Sequence, residues 1–116
     1  MEKILILIAL LACPASPRIV RMNVSAYCPC SQCCGAYADG RTATNYKIKT
    51  GDRFVAAPKT YAFGTKMVIK GYNDGKPVIV RDRGGAIKGN KLDLYFDTHQ
   101  EALNWGRKQI DVEILK

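Results

Sequence analysis

Apolar and polar residues alternate in short runs near both ends of the chain. Val20, Met22, Val24 and Ala26 are interleaved with Arg21, Asn23 and Ser25, the two-residue period of a strand with one buried face. Near the other end, Ile110, Val112 and Ile114 alternate with Asp111 and Glu113, which predicts a strand over Lys108–Leu115. Shorter runs predict strands over Arg53–Ala57, Lys66–Lys70, Pro77–Arg81 and Lys91–Phe96, with Asn73-Asp74-Gly75 as a hairpin turn between the third and fourth strands. One segment is helical in its signals: Thr98 caps it, Glu101 three residues later completes a capping box, and Gly106 ends it. The pattern predicts a mainly β fold, a small barrel of six or seven strands with one short helix before the last strand. Ten glycines and five prolines, which cut the chain into short elements, favour that fold over a helical bundle.

The amino-terminal residues break the alternation. Ile4 to Ala12 is a continuous apolar run, too short to span a bilayer of about 30 Å as a helix and followed by Pro14 and Pro17. It reads as a secretory signal peptide over residues 1–15, with a single domain over residues 19–116. Leu10-Leu11-Ala12-Cys13 also matches a lipoprotein processing box, in which Cys13 carries the lipid; cleavage after Ala15 is the competing reading. A chain of 116 residues holds one core. Its formal charge of +8, from 18 Lys and Arg against 10 Asp and Glu, suits an exported domain that meets an anionic wall polymer. Glycine-rich phosphate loops, helix-turn-helix patterns and aromatic RNA motifs do not occur, so neither nucleic acid nor a nucleotide cofactor is expected. No cofactor of any kind is expected, and the domain is read as a monomer.

Cys28, Cys30, Cys33 and Cys34 fall within seven residues. In an exported chain they are expected to form two disulfides, Cys28 and Cys30 joining Cys33 and Cys34 in either order, because adjacent cysteines bridge each other only with strain. Four thiolates around one zinc ion is the alternative, but the sequence places no further ligand nearby, and no metal site is expected. His99, the sole histidine, is read as a surface helix residue, and Trp105 as part of the barrel wall. Tyr27, Tyr61, Tyr72 and Tyr95 are candidates for lining a groove. Tyr95 leads because it shares strand parity with Asp93.

The stretch VRDRGGAIKGNKLDLYF, Val80–Phe96, carries the candidate chemistry. Asp82 leaves one strand and Asp93 lies within the next, between Leu92 and Leu94. A carboxyl group held near apolar surface resists ionisation and can serve as a general acid. Gly84, Gly85 and Gly89 permit tight turns and close approach of a ligand. The ordinary alternative is that Asp93 is a solvated outward position.

The motifs SAYCPCSQCCG, FVAAPKTYAFGTKMVI, RDRGGAIKGNKLDLYF and EALNWGRKQIDVEIL, in this order from Val24 to Leu115, resemble the 3D domain family. That family, named for three aspartates, is found in stationary-phase survival proteins and in the catalytic part of membrane-bound lytic transglycosylase A. The resemblance implies a six-stranded double-psi β-barrel. It also implies lytic transglycosylase activity on peptidoglycan glycan strands: the β-1,4 bond between N-acetylmuramic acid and N-acetylglucosamine is cleaved without water, and the 6-hydroxyl of the muramoyl sugar closes onto its own C1. Asp93 is then the acid-base, and Asp82 tunes it or binds the sugar. Lys88 or Arg83 would hold peptide-stem carboxylates, while Thr42 and Thr44 of GRTATN would face the substrate. The family's first aspartate precedes the proline of the middle motif, where this chain has Ala57 before Pro58. Two of three aspartates carry over. A non-catalytic, expansin-like wall-binding barrel is therefore the alternative function. Either function implies a secreted, periplasmic or cell-envelope location, with or without a lipid anchor at Cys13.

Overall fold

The computed structural model describes residues 18–30 and 39–115. The leader with Cys13, and the cysteines at positions 33 and 34, lie outside the described residues. The elements are β1 (Arg18–Tyr27), β2 (Val55–Ala56), β3 (Lys66–Ile69), β4 (Val78–Asp82), β5 (Lys91–Tyr95), α1 (His99–Trp105) and β6 (Lys108–Leu115). The strands close into a barrel in the order β1-β5-β2-β4-β3-β6. Pairs β1/β5 and β2/β4 are parallel, and the remaining four are antiparallel. This is the mainly β, six-stranded barrel with one short helix before the last strand that the sequence predicts, and its paired parallel strands accord with the double-psi topology.

Alternation works as expected on the long strands. Met22 and Val24 of β1, Leu92 and Leu94 of β5, and Val112 of β6 point inward and are almost fully enclosed, together with Val55, Met67, Ile69 and Val80. Each such side chain contributes about 1.5–3 kcal/mol of burial free energy, and the set fills the barrel interior. α1 lies across one end. Thr98 Oγ1 accepts a hydrogen bond from the Glu101 amide at 3.2 Å and lies 3.0 Å from the Glu101 carboxylate, and Gly106 turns the chain at φ 70°. Trp105 is buried, with Nε1 donating to the Val24 carbonyl at 3.1 Å, which confirms its place in the barrel wall.

β2 is shorter than the Arg53–Ala57 run suggests, although the Phe54 carbonyl still accepts from the Tyr95 amide and the Ala57 amide still donates to the Asp82 carbonyl. The Phe54 N–H donates to the Tyr72 hydroxyl, which also bonds to the Phe54 and Tyr95 carbonyls, and Pro58 has no N–H to extend a ladder. Tyr72 is thus a buried strut rather than a groove residue, and burial, the largest cause, pushes its hydroxyl pKa well up. The predicted β3–β4 hairpin forms. Its turn carries Asn73, Asp74 and Gly75 all at positive φ, 53°, 55° and 73°, a conformation that Asn, Asp and Gly tolerate best.

Candidate active site

The site is built where β2 lies between β4 and β5. Ala56 of β2 is in register with Asp82 on one side and with Asp93 on the other. Two strand spacings separate the aspartate Cα atoms, about 9–10 Å. The register between β2 and β4 shifts within the Val55–Ala56 step: Val55 faces Val80, but Ala56 faces Asp82, so Arg81 is an extra residue on β4. Such irregularities re-aim side chains next to functional sites. Ala56, Asp82 and Asp93 line one cleft of about 620 Å³, with Tyr27, Arg41, Thr42, Ala43, Arg83, Gly84, Gly85 and Ile87 around them. That volume lies within the usual range for a small-molecule or oligomer subsite.

Asp93 points away from the barrel interior because Leu92 and Leu94 point into it. It is nevertheless half-buried. Its cross-strand neighbours are Ser25 of β1 and Ala56 of β2, small residues over which loops can close. Ser25 Oγ lies 3.1 Å from Asp93 Oδ1 and 3.3 Å from the Leu92 carbonyl. Burial, helped by the charge of Asp82, pushes the Asp93 pKa up to about 6, against the opposing pull of the Ser25 hydroxyl and Arg107. The solvated outward reading of Asp93 does not hold.

Asp82 has a different environment. Its Oδ2 accepts from the Tyr27 hydroxyl at 2.7 Å, and its Oδ1 accepts from the backbone N–H groups of Ala43 at 2.8 Å and Arg83 at 2.9 Å. Three donors fix the orientation of this carboxylate. The Ala43 amide reaches it because Thr42 and Thr44 hold the loop in place. Their hydroxyls lie 2.7 Å apart, Thr44 Oγ1 donates to the Arg81 carbonyl, and Thr42 Oγ1 accepts from the Tyr46 amide. Both threonines are committed internally. Thr42 still lines the cleft; Thr44 does not.

The glycine loop behaves partly as expected. Gly84 and Gly85 line the cleft, and a side chain at Gly84 would meet Ile87 Cδ1 at 3.0 Å, so Ile87 would have to shift to admit one. Gly89 needs its φ of 64°. Lys88 is exposed on the loop outside the cleft lining. Arg83 lines the cleft, but its guanidinium donates to the carbonyls of Ala57 and Tyr61 and lies 4.0 Å above the Phe63 ring. Arg41, which sequence reasoning missed, is the exposed cation of the cleft.

Tyr95 is the clearest departure. It shares the face of Asp93 by parity, yet it is 2% exposed, stacked on Phe54 at 4.7 Å and packed edge-on to Tyr27 at 5.9 Å. It is not part of the cleft lining. Burial first, and the neighbouring Asp97 second, raise its pKa to about 12. Tyr61 is also buried, so Tyr27 is the one tyrosine of the four in the cleft lining. Ala57 is wholly enclosed within the apolar core. A carboxylate at that position would enter the core, whereas Ala56 is the β2 residue that faces the acids.

A smaller groove of about 350 Å³ reaches Asp93 from the α1 side, lined by Ser25, Tyr27, His99, Leu103 and Arg107. At its edge, His99 Nδ1 lies 3.7 Å from Cys28 Sγ and 3.5 Å from Cys30 Sγ. The sequence placed His99 on the surface and no further ligand near the cysteines. The fold instead brings the end of β1 onto the first residue of α1.

Comparison with known proteins agrees with this architecture. Over 95 residues the chain is 33% identical to YabE of Bacillus subtilis (strain 168), named for cell wall shaping, covering 81% of this chain and 23% of that protein. Cell wall-binding protein YocH of the same organism is 38% identical over 58 residues, half of this chain and 19% of YocH. The crystal structure of MltA from E. coli superposes with a TM-score of 0.51 at 23% identity, over 66% of this chain and 27% of that one, a likeness of fold. The chain thus spans about a quarter or less of each of these proteins. The 3D domain model matches residues 53–116, which contain β2 to β6, both aspartates and the glycine loop, and the chain belongs to the 3D domain family.

Proposed function

We propose that this domain acts outside the cytoplasm as a peptidoglycan lytic transglycosylase, with Asp93 as its single acid-base. The observation that carries the reading is Asp93 itself: a half-buried carboxyl group in the wall of a 620 Å³ cleft, with a pKa raised to about 6. Such an acid is still partly protonated near neutral pH and can give its proton to a glycosidic oxygen as the bond to C1 breaks. The 6-hydroxyl of the muramoyl sugar then attacks C1, and the carboxylate accepts the hydroxyl proton. Because the substrate brings its own nucleophile, one acid-base suffices where most glycosidases need two carboxylates. Asp82, held by three donors, supplies a fixed negative charge that favours the protonated form of Asp93. The cleft's exposed Arg41 is suited to substrate carboxylates. Export by the leader, with or without lipid at Cys13, would bring the domain to this substrate.

The test is digestion of purified peptidoglycan followed by mass analysis of the products. Release of 1,6-anhydro ends, abolished in Asp93→Asn, is the expected result. Reducing ends in their place would mean hydrolysis.

A second reading is a wall-binding barrel without turnover. Ala57 at the place of the family's first aspartate supports it, as does the name of the cell wall-binding relative YocH. Sedimentation of folded protein with peptidoglycan, with no products released, would favour this reading.

A further inference from the structure

Two sulfur atoms and one imidazole nitrogen converge at the junction of β1 and α1. Cys28 is buried, while Cys30 and His99 are half-buried, and the three donor atoms lie within 4.8 Å of one another. The residues come from segments 69–71 positions apart, so local sequence does not force the meeting. The distances are informative. A tetrahedral zinc ion with Zn–S of about 2.3 Å and Zn–N of about 2.0–2.1 Å requires its sulfur and nitrogen ligands to be about 3.5 Å apart and its sulfurs about 3.8 Å apart. The two sulfur–nitrogen distances are 3.5 and 3.7 Å. The sulfurs, at 2.9 Å, must open by about 0.9 Å around an ion, and are already farther apart than the roughly 2.05 Å of a disulfide bond.

We propose that Cys28, Cys30 and His99 bind a zinc ion. Two thiolates and an imidazole form a donor set typical of zinc, whereas calcium and magnesium require oxygen ligands. Binding releases the two thiol protons and leaves the imidazole neutral, with Nδ1 directed at the metal. The ion ties the end of β1 to the start of α1. Tyr27, the residue before Cys28, donates to Asp82, so the site also anchors one support of the acidic cleft. The proposal is independent of whether the cleft cleaves or only binds the wall.

The full chain, purified reduced and without chelator, should carry about one zinc per molecule by elemental analysis. X-ray absorption should show nitrogen as well as sulfur around the metal. Cobalt(II) as a probe should give thiolate charge-transfer bands. His99→Ala and Cys30→Ser, both at half-buried positions, should leave circular dichroism unchanged and weaken zinc binding by about 100-fold or more, the upper end of what second-shell changes alone cause. The melting temperature should rise with added zinc in the wild type and not in His99→Ala. Three results would overturn the proposal: zinc affinity unchanged in folded His99→Ala, a metal bound by sulfur alone, or reduced protein that takes up no zinc. A stable disulfide at Cys28 or Cys30 in the exported protein would do the same.

Discussion

The two rims of the cleft face each other across Ala56, and they treat the same chemical group in opposite ways. On the β4 rim, Asp82 receives one phenol and two backbone donors. On the β5 rim, Asp93 receives one serine hydroxyl and is half-buried, with its pKa raised to about 6. Residue type does not separate them, since both are aspartates in register with the same alanine. The number of donors supplied by the surroundings does. Under the proposed function, environments that differ in this way would assign Asp93 to proton transfer and Asp82 to a fixed charge.

Removing the half-buried carboxyl group is the most direct way to break the comparison. Asp93→Asn should reduce anhydro-muropeptide release by about 10²–10⁴-fold, the scale of a lost acid-base, with the melting temperature retained or raised. Asp82→Asn should cost less, because the amide keeps part of the hydrogen bonding. Equal losses in the two variants would show that the rims act as one unit.

The contrast between Ala56 and Ala57 predicts a stability effect. Ala57→Asp places a carboxylate in the apolar core and should destabilise the domain by about 3 kcal/mol or more, measured by denaturant unfolding. Ala56→Asp adds a third acid on the cleft side, costs less stability, and should push the Asp93 pKa higher by like-charge repulsion. If Ala57→Asp proves neutral and more active, the acidic set assembles differently from this geometry.

The pH dependence sharpens the difference further. Transfer of a proton from Asp93 requires its acid form, so kcat/KM should fall as pH rises through about 6. The stability sign follows from the same shift. The native state holds the Asp93 proton more tightly than the unfolded chain, so this group's contribution is fully present below the unfolded pKa near 4 and is lost as pH rises to about 6. Asp93→Asn should abolish that decline. Arg107→Gln, which removes a charge that lowers the Asp93 pKa, should move the activity limb to higher pH, and Asp82→Asn should move it lower. Ser25→Ala, which removes the stronger of the two influences that lower the Asp93 pKa, should move the same limb up further than Arg107→Gln does.

What the sequence disclosed follows from local chemistry. The alternation at Val20–Ala26 and Ile110–Ile114 located β1 and β6, and Thr98, Glu101 and Gly106 bounded α1, because each signal acts within a few residues. Asp93 was legible for the same reason: the flanking leucines fix its face. Parity failed for Tyr95 because it states which face a side chain leaves from and not what covers it, and Phe54 covers it. Thr42 and Thr44 were placed near the cleft, but their internal partners were not legible, since the Arg81 carbonyl lies 37 residues from Thr44. The meeting of His99 with the cysteines was hidden for the same reason, being a product of barrel closure rather than of spacing.

Barrel closure also governs when a competent acid first exists. Asp93 is enclosed by Ser25 of β1 and Ala56 of β2, and β1 pairs only with β5 and β6, the last strands made. Nearly all of these contacts are distant in sequence, the condition under which loop-closure entropy delays folding and partial structures gain little. An incompletely folded chain therefore has β1 without its partners and Asp93 in water, as an ordinary ionised carboxylate. The raised pKa of Asp93 arises only when β5 has paired with both β1 and β2, so the carboxyl group acquires its distinctive acidity late, as the barrel closes.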